Sequence, residues 1–190
     1  MVPFLELTSL LLVLAFAGLL VHAAVQDCRR FVISNRTVLG VAALFTLFIA
    51  AQWALPEGSR MIPAPFDHLW KGLLLSLVVF AAAAALFALN VMGGGDVKLL
   101  AAITLWAGPV WTAPFILVTA TAGGIVTLGV LLMAAIAPKS AIAAPAASPN
   151  LNPLRSRMQN VKVPYGLGIS AGGLAVAWFL ATRADLFPAT

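Results

Sequence analysis

The sequence predicts an all-α protein, a polytopic membrane helical bundle with six transmembrane helices and both termini outside. Three observations carry this. Hydrophobic residues make up 62% of the 190 positions and charged residues 9%, and the mean hydropathy is +1.04, a composition that a soluble domain of this size cannot keep in solution. The apolar residues fall in runs of about the 20 residues that a bilayer crossing needs. The basic residues collect in alternate linkers, as topology demands.

Taken in order, the spans are Phe4 to Val25, Thr37 to Leu55, Leu69 to Val91, two passes within Val97 to Ala137, and Val163 to Ala181. The fourth block needs its own argument. Its roughly 40 residues make a helix of about 60 Å, twice the hydrocarbon thickness, so the chain must turn back. Gly108-Pro109, Trp111 and Pro114 supply the breakers and an interfacial aromatic for that turn.

Linkers 26–36, 92–98 and 138–162 hold Arg29, Arg30, Arg36, Lys98, Lys139, Arg155, Arg157 and Lys162. The other linkers and the C-terminus hold Arg60, Lys71 and Arg183. The richer set belongs in the cytoplasm, which puts both termini outside in the inner (cytoplasmic) membrane. A cleaved signal peptide is the competing view of residues 1–25, since Val21-His22-Ala23 has the look of a cleavage site, but the basic segment that should precede it is missing. The excess of 11 Lys and Arg over 6 Asp and Glu then reflects topology. The partner it implies is the lipid bilayer, not nucleic acid.

Topology also sorts the acids. Glu6, Glu57, Asp67 and Asp185 fall on the outer side, whereas Asp27 ends the first span and Asp96 begins the fourth, at one cytoplasmic depth. The plain account is a solvated Asp27 beside Arg29 and Arg30, with Asp96 starting a helix. The chemical account is aspartyl hydrolysis: neighbouring carboxyls share a proton, so one accepts a proton from water while the other protonates the carbonyl or the leaving amine. Cys28 is the single cysteine, and His22 and His68 are the two histidines. None stands in a ligand or triad spacing, so neither a metal nor another cofactor is expected.

Asn90-Val-Met-Gly-Gly-Gly-Asp96-Val-Lys98 places three helix breakers before the second carboxylate. Glycines at Gly93, Gly94 and Gly95 permit φ > 0 and remove side-chain bulk, so an extended substrate backbone can approach Asp96; a tight interhelical turn is the alternative. Gly93-Gly94-Gly95-Asp96-Val97-Lys98-Leu99-Leu100 resembles the second-aspartate motif of the type IV prepilin peptidases, membrane aspartic peptidases with a GxGD motif. Asp27-Cys-Arg-Arg-Phe-Val-Ile33-Ser34-Asn35 resembles the first, with Ser34 where proline is usual, and Val163-Pro164-Tyr165-Gly166 resembles the entry to the last helix.

The resemblance implies catalytic roles for Asp27 and Asp96, with Gly93, Gly94, Gly95, Asn35 and Lys98 as candidate substrate-binding residues. It implies prepilin and pseudopilin substrates, cut at the cytoplasmic face. The larger bifunctional members carry an insert with two CxxC pairs and also methylate the new pilin terminus; Cys28 stands alone here, which argues against methyltransfer. The short form is similar to the peptidases of tight-adherence (Flp) pilus systems, and archaeal preflagellin peptidases share the plan. A small ion- or proton-coupled transporter is the rival from another class, although its site belongs near the midplane and the two halves show no convincing similarity.

The whole chain, 1–190, reads as a single membrane-embedded domain. Within it Pro138 to Asn160 is a Pro/Ala/Ser-rich stretch expected to form a flexible cytoplasmic loop. Gly166, Gly168, Gly172 and Gly173 suit close helix packing. Lys98 either reaches back to the interface or biases the charge of Asp96.

Overall fold

The computed structural model describes residues 2–62, 64–136 and 164–186. The stretch Pro138 to Asn160, with Lys139, Arg155 and Arg157, lies outside the described residues, as does Lys162. Five helices are long and apolar enough to cross a membrane: α1 (Val2–Arg30), α2 (Asn35–Ala54), α3 (Pro65–Ala88), α4 (Gly94–Ile136) and α5 (Tyr165–Leu186). A single 3-10 turn, Glu57–Ser59, interrupts the link from α2 to α3.

The burial pattern is that of a protein solvated by lipid. Leu7, Leu11, Leu14, Leu73, Leu77, Leu117 and Leu128 are all more than half exposed, side chains that water would drive inward. The interior centres on Trp106, whose ring stacks on Phe16 at 4.1 Å and on Phe48 at 5.1 Å. Its indole N–H donates to the Val41 carbonyl at 3.0 Å. One aromatic thus ties α1 and α2 to α4, and its polar atom is satisfied as burial requires.

The long apolar block is two helical segments that meet at a single non-helical residue, Gly108 at φ 57 and ψ −164. A left-handed φ costs an L-residue about 1–2 kcal/mol, so glycine is the residue for it. Pro109 follows at once, where a new helical turn has no need of its N–H. The break expected around Gly108, Pro109, Trp111 and Pro114 is therefore concentrated in one residue, and Pro114 sits within the helix after it. His68 of α3 packs its ring on Gly108, and its Nε2 lies 3.1 Å from the Leu105 carbonyl.

The contacts of α5 differ on either side of that break. A Cβ on Gly173 would fall 3.1 Å from Ile103 Cδ1, whereas one on Gly168 would fall 2.7 Å from Gly123 Cα and one on Gly172 would strike Thr119. The same helix meets α1 through Gly173, whose Cβ would lie 2.7 Å from Leu20 Cδ1. Gly168, Gly172 and Gly173 thus allow close helix approach, as their spacing predicts.

Candidate active site

Helix α1 ends in an unusual way. Phe31, at φ 52, takes the left-handed position, and its N–H returns to the Asp27 carbonyl at 2.8 Å, a terminus that glycine normally occupies. Asp27 therefore stands in the final turn of α1. Helix α3 ends likewise: Asn90 is left-handed at φ 58, Val91 N–H donates to Leu86 O, and Asn90 N–H donates to Phe87 O. Both orphaned carbonyls are satisfied, as in a Schellman ending.

That ending separates the two properties expected of the glycines, freedom at φ > 0 and absence of side-chain bulk. The left-handed backbone before the second carboxylate is supplied by Asn90, and Gly94 and Gly95 lie in the first turn of α4. Gly108 is the positive-φ glycine among the described residues. What Gly93, Gly94 and Gly95 provide is space. A methyl on Gly95 would lie 3.1 Å from both Ile33 Cβ and Ile33 O, one on Gly94 would lie 3.4 Å from the Phe87 ring, and one on Gly93 would lie 3.0 Å from Asp96 Oδ2.

The two carboxylates converge although 69 positions separate them in the chain. Asp27 is 4% exposed and Asp96 is 8% exposed, and they are near enough to interact electrostatically. Asp27 Oδ2 accepts the backbone N–H of Gly166 at 2.7 Å, and the Leu167 N–H is a second donor. These are N–H groups of the first turn of α5. Pro164, just before that turn, has no side-chain acceptor to cap it, so Asp27 serves from α1. Asp96 accepts a backbone hydrogen bond from Gly93, reaching back over the start of its own helix in the manner of a capping box.

Ile33, 5% exposed, lies against Gly95, the residue before Asp96, and against Gly166, whose N–H holds Asp27. A Cβ on Gly166 would fall 2.8 Å from Ile33 Cδ1 and 2.9 Å from Asp27 Cγ, and Gly95 faces Ile33 from the other helix. Around this centre, Lys98 Nζ donates to Asn35 Oδ1 at 3.0 Å. The structure thus joins Asn35 and Lys98 to each other at an exposed edge, linking the start of α2 to that of α4. Ser34 caps α2, its hydroxyl accepting from Thr37 N–H at 3.2 Å.

Residues 14–128 match the type IV leader peptidase family, a stretch that contains both aspartates. The chain belongs to that family. It is accordingly an aspartic leader peptidase with membrane-spanning helices. No curated relative and no solved structure is significantly similar to the chain.

Sequence reasoning missed the part that Gly166 and Leu167 play in holding Asp27. The signal was present in Pro164-Tyr165-Gly166: a helix opened by proline needs its capping acceptor from elsewhere, and an acid facing that end is a natural source. Among the described residues no group of three His, Cys, Asp or Glu side chains could hold a metal. The peptidase's Cys28 is an exposed free thiol.

Proposed function

We propose that Asp27 and Asp96 are the catalytic pair of a prepilin leader peptidase of the short, Flp-like type, acting on prepilins and pseudopilins at the cytoplasmic face of the inner membrane without methyltransferase activity. The observation that carries this is the convergence of two buried carboxylates, each held by backbone N–H donors and near enough to interact electrostatically. Asp27, with two backbone donors from a helix start, suits the anionic role. It takes a proton from the attacking water while Asp96 gives its proton to the scissile carbonyl oxygen. Collapse of the resulting diol breaks the C–N bond as Asp27 passes its proton to the leaving amine and Asp96 takes back a proton from a diol hydroxyl, which restores the starting state.

Six passes are proposed, α4 contributing two. The register along α5 supports this: residue 103, before the Gly108 break, meets 173, and residue 119, after it, meets 172, although a straight helix would set those two α4 residues about 24 Å apart. With the basic residues at the aspartate ends, that arrangement puts both termini outside and residues 1–190 in one domain. Gly93, Gly94 and Gly95 are proposed to keep the approach to Asp96 narrow-walled, and Asn35 and Lys98 to border it. The loop from α1 to α2 spans only residues 31–34, which supports the absence of a methyltransferase insert.

The test is co-expression with an Flp-type prepilin, reading the product by size. Wild type should release the leader, and Asp27→Asn and Asp96→Asn should leave the precursor intact. Processing by either variant would overturn the assignment.

A further inference from the structure

We propose that Gln26 is a positioning residue for the aspartate pair, acting through the backbone N–H of Ser34 to hold Ile33 against Gly95 and Gly166 at the starts of the two helices beside the carboxylates; this rests on the assignment of Asp27 and Asp96 as the catalytic acids.

Ile33 belongs to the short link 31–34, whose backbone–backbone bonds lie at its two ends, Phe31 N–H to the Asp27 carbonyl and the Ser34 carbonyl to the N–H groups of Thr37 and Val38. Phe31 and Val32 are exposed. Gln26, in the final turns of α1 and next to Asp27, reaches across the link. Its Oε1 accepts the Ser34 N–H at 3.2 Å and the Thr37 hydroxyl at 3.2 Å, and its Nε2 lies 2.9 Å from His22 Nε2. With both ends of the amide engaged, its oxygen is oriented toward the link. The link is then fastened to α1 by Gln26, as the start of α2 is fastened to α4 by the Lys98–Asn35 bond.

The consequence falls on the site. Ile33 touches the positions of Gly95, which precedes Asp96, and of Gly166, whose N–H holds Asp27. A link free to slip would move this shared spacer and with it the separation of the carboxyls. Misplacement on the order of 1 Å lowers rates about a hundredfold where geometry is the catalyst's contribution. Hydrogen bonds between neutral groups near the membrane boundary contribute little to global stability, so the effect should appear in turnover before it appears in melting.

Ser34 offers an independent handle. Its φ of −73 and ψ of 143 suit proline, which would hold that backbone by its ring and present no N–H to Gln26. Proline at position 34 should therefore make Gln26 dispensable.

The experiment is single-turnover prepilin cleavage in detergent by wild type, Gln26→Ala, Ser34→Pro and the double variant, with melting temperature and amide exchange of residues 31–33 on each. Gln26→Ala should cut the saturated rate at least about tenfold, leave the substrate concentration for half-saturation within about twofold, and speed exchange at Ile33. The double variant should cleave within about threefold of Ser34→Pro. Wild-type turnover by Gln26→Ala, a loss accounted for by unfolded protein, or a double variant as slow as Gln26→Ala would each overturn the proposal. Should Gln26→Ala fail to accumulate, the double variant decides: failure of it too, with Ser34→Pro folded, counts against Gln26 acting through Ser34. Asp27→Asn is the inactive control. Cleavage by that control would remove the catalytic assignment, while the exchange at Ile33 would still decide whether Gln26 holds the link.

Discussion

Gly166 donates its backbone N–H to Asp27 Oδ2 at 2.7 Å, across 139 positions of sequence. The contact means that a carboxylate in the last turn of α1, proposed to be catalytic, also caps the start of α5. The two duties have different chemical requirements. Capping needs an oxygen acceptor, which an amide keeps, whereas water activation needs a carboxylate.

The choice of substitution at Asp27 therefore matters. Asp27→Asn should fold and insert like wild type yet cleave no prepilin, while Asp27→Ala should be inactive and also lose about 1 kcal/mol of stability, the usual cost of a lost helix cap. Asp96→Asn should likewise be inactive. Asp67, exposed and bonded to Lys71 at 3.0 Å, is the matched control, and Asp67→Asn should cleave at the wild-type rate. Thermal melting in detergent beside a cleavage assay reads all four; equal melting of the Ala and Asn variants at position 27 would remove the capping role.

How much of this was visible in the sequence depends on the range of the interaction. The spans, the aspartate pair and the need for a break near Gly108 follow from composition and spacing, because hydropathy and helix length act locally. The glycines of the GGGD segment offered two properties, freedom at φ > 0 and absence of side-chain bulk; Asn90 takes the left-handed backbone, and it is the missing side chain of Gly95 that Ile33 packs against. Local pattern names a glycine; only the neighbour brought by another segment says which property is used. Gln26 was invisible for the same reason, since an amide next to the proposed catalytic acid has no distinguishing pattern until Ser34 and Thr37 are folded against it.

Metal and thiol independence form a second test. Water activation by a carboxylate needs no Lewis acid, and Cys28 is exposed with no catalytic partner in the proposed reaction. Strong chelators should leave turnover within about twofold, as should a small alkylating reagent at Cys28. Loss of activity on chelation with recovery on zinc would refute the aspartyl mechanism.

Gly108→Ala tests the break in α4. The substitution forces an L-residue to φ 57 and pushes a methyl into the His68 ring. The backbone term alone is about 1–2 kcal/mol, and His68 is packed too closely to yield without further cost. Folded yield and melting temperature should both fall sharply, whereas Gly129→Ala, with nothing within 4 Å of the new methyl, should be neutral. A normal Gly108→Ala melt would mean that the chain passes this point in another conformation.

The last prediction separates Gly95 and Gly166 from glycines that merely join helices. A methyl at Gly95 would press on Ile33 Cβ and O at 3.1 Å, and one at Gly166 would press on Ile33 Cδ1 and the Asp27 carboxyl at 2.8 and 2.9 Å. Neither position has a positive φ, so no backbone strain is added, and the perturbation goes into the spacer and the carboxylate it touches. Gly95→Ala should therefore accumulate near normally yet cleave at least about tenfold more slowly, the equivalent of about 1.4 kcal/mol in the barrier. Gly166→Ala should be slower still, because its methyl meets the proposed catalytic carboxyl of Asp27 directly and the N–H holding Asp27 must move with it. Single-turnover time courses normalised to folded protein give both values. If the rates fall only in proportion to the folded fraction, these glycines connect helices and nothing more; a normal rate for both would mean that Ile33 does not set the spacing of the pair.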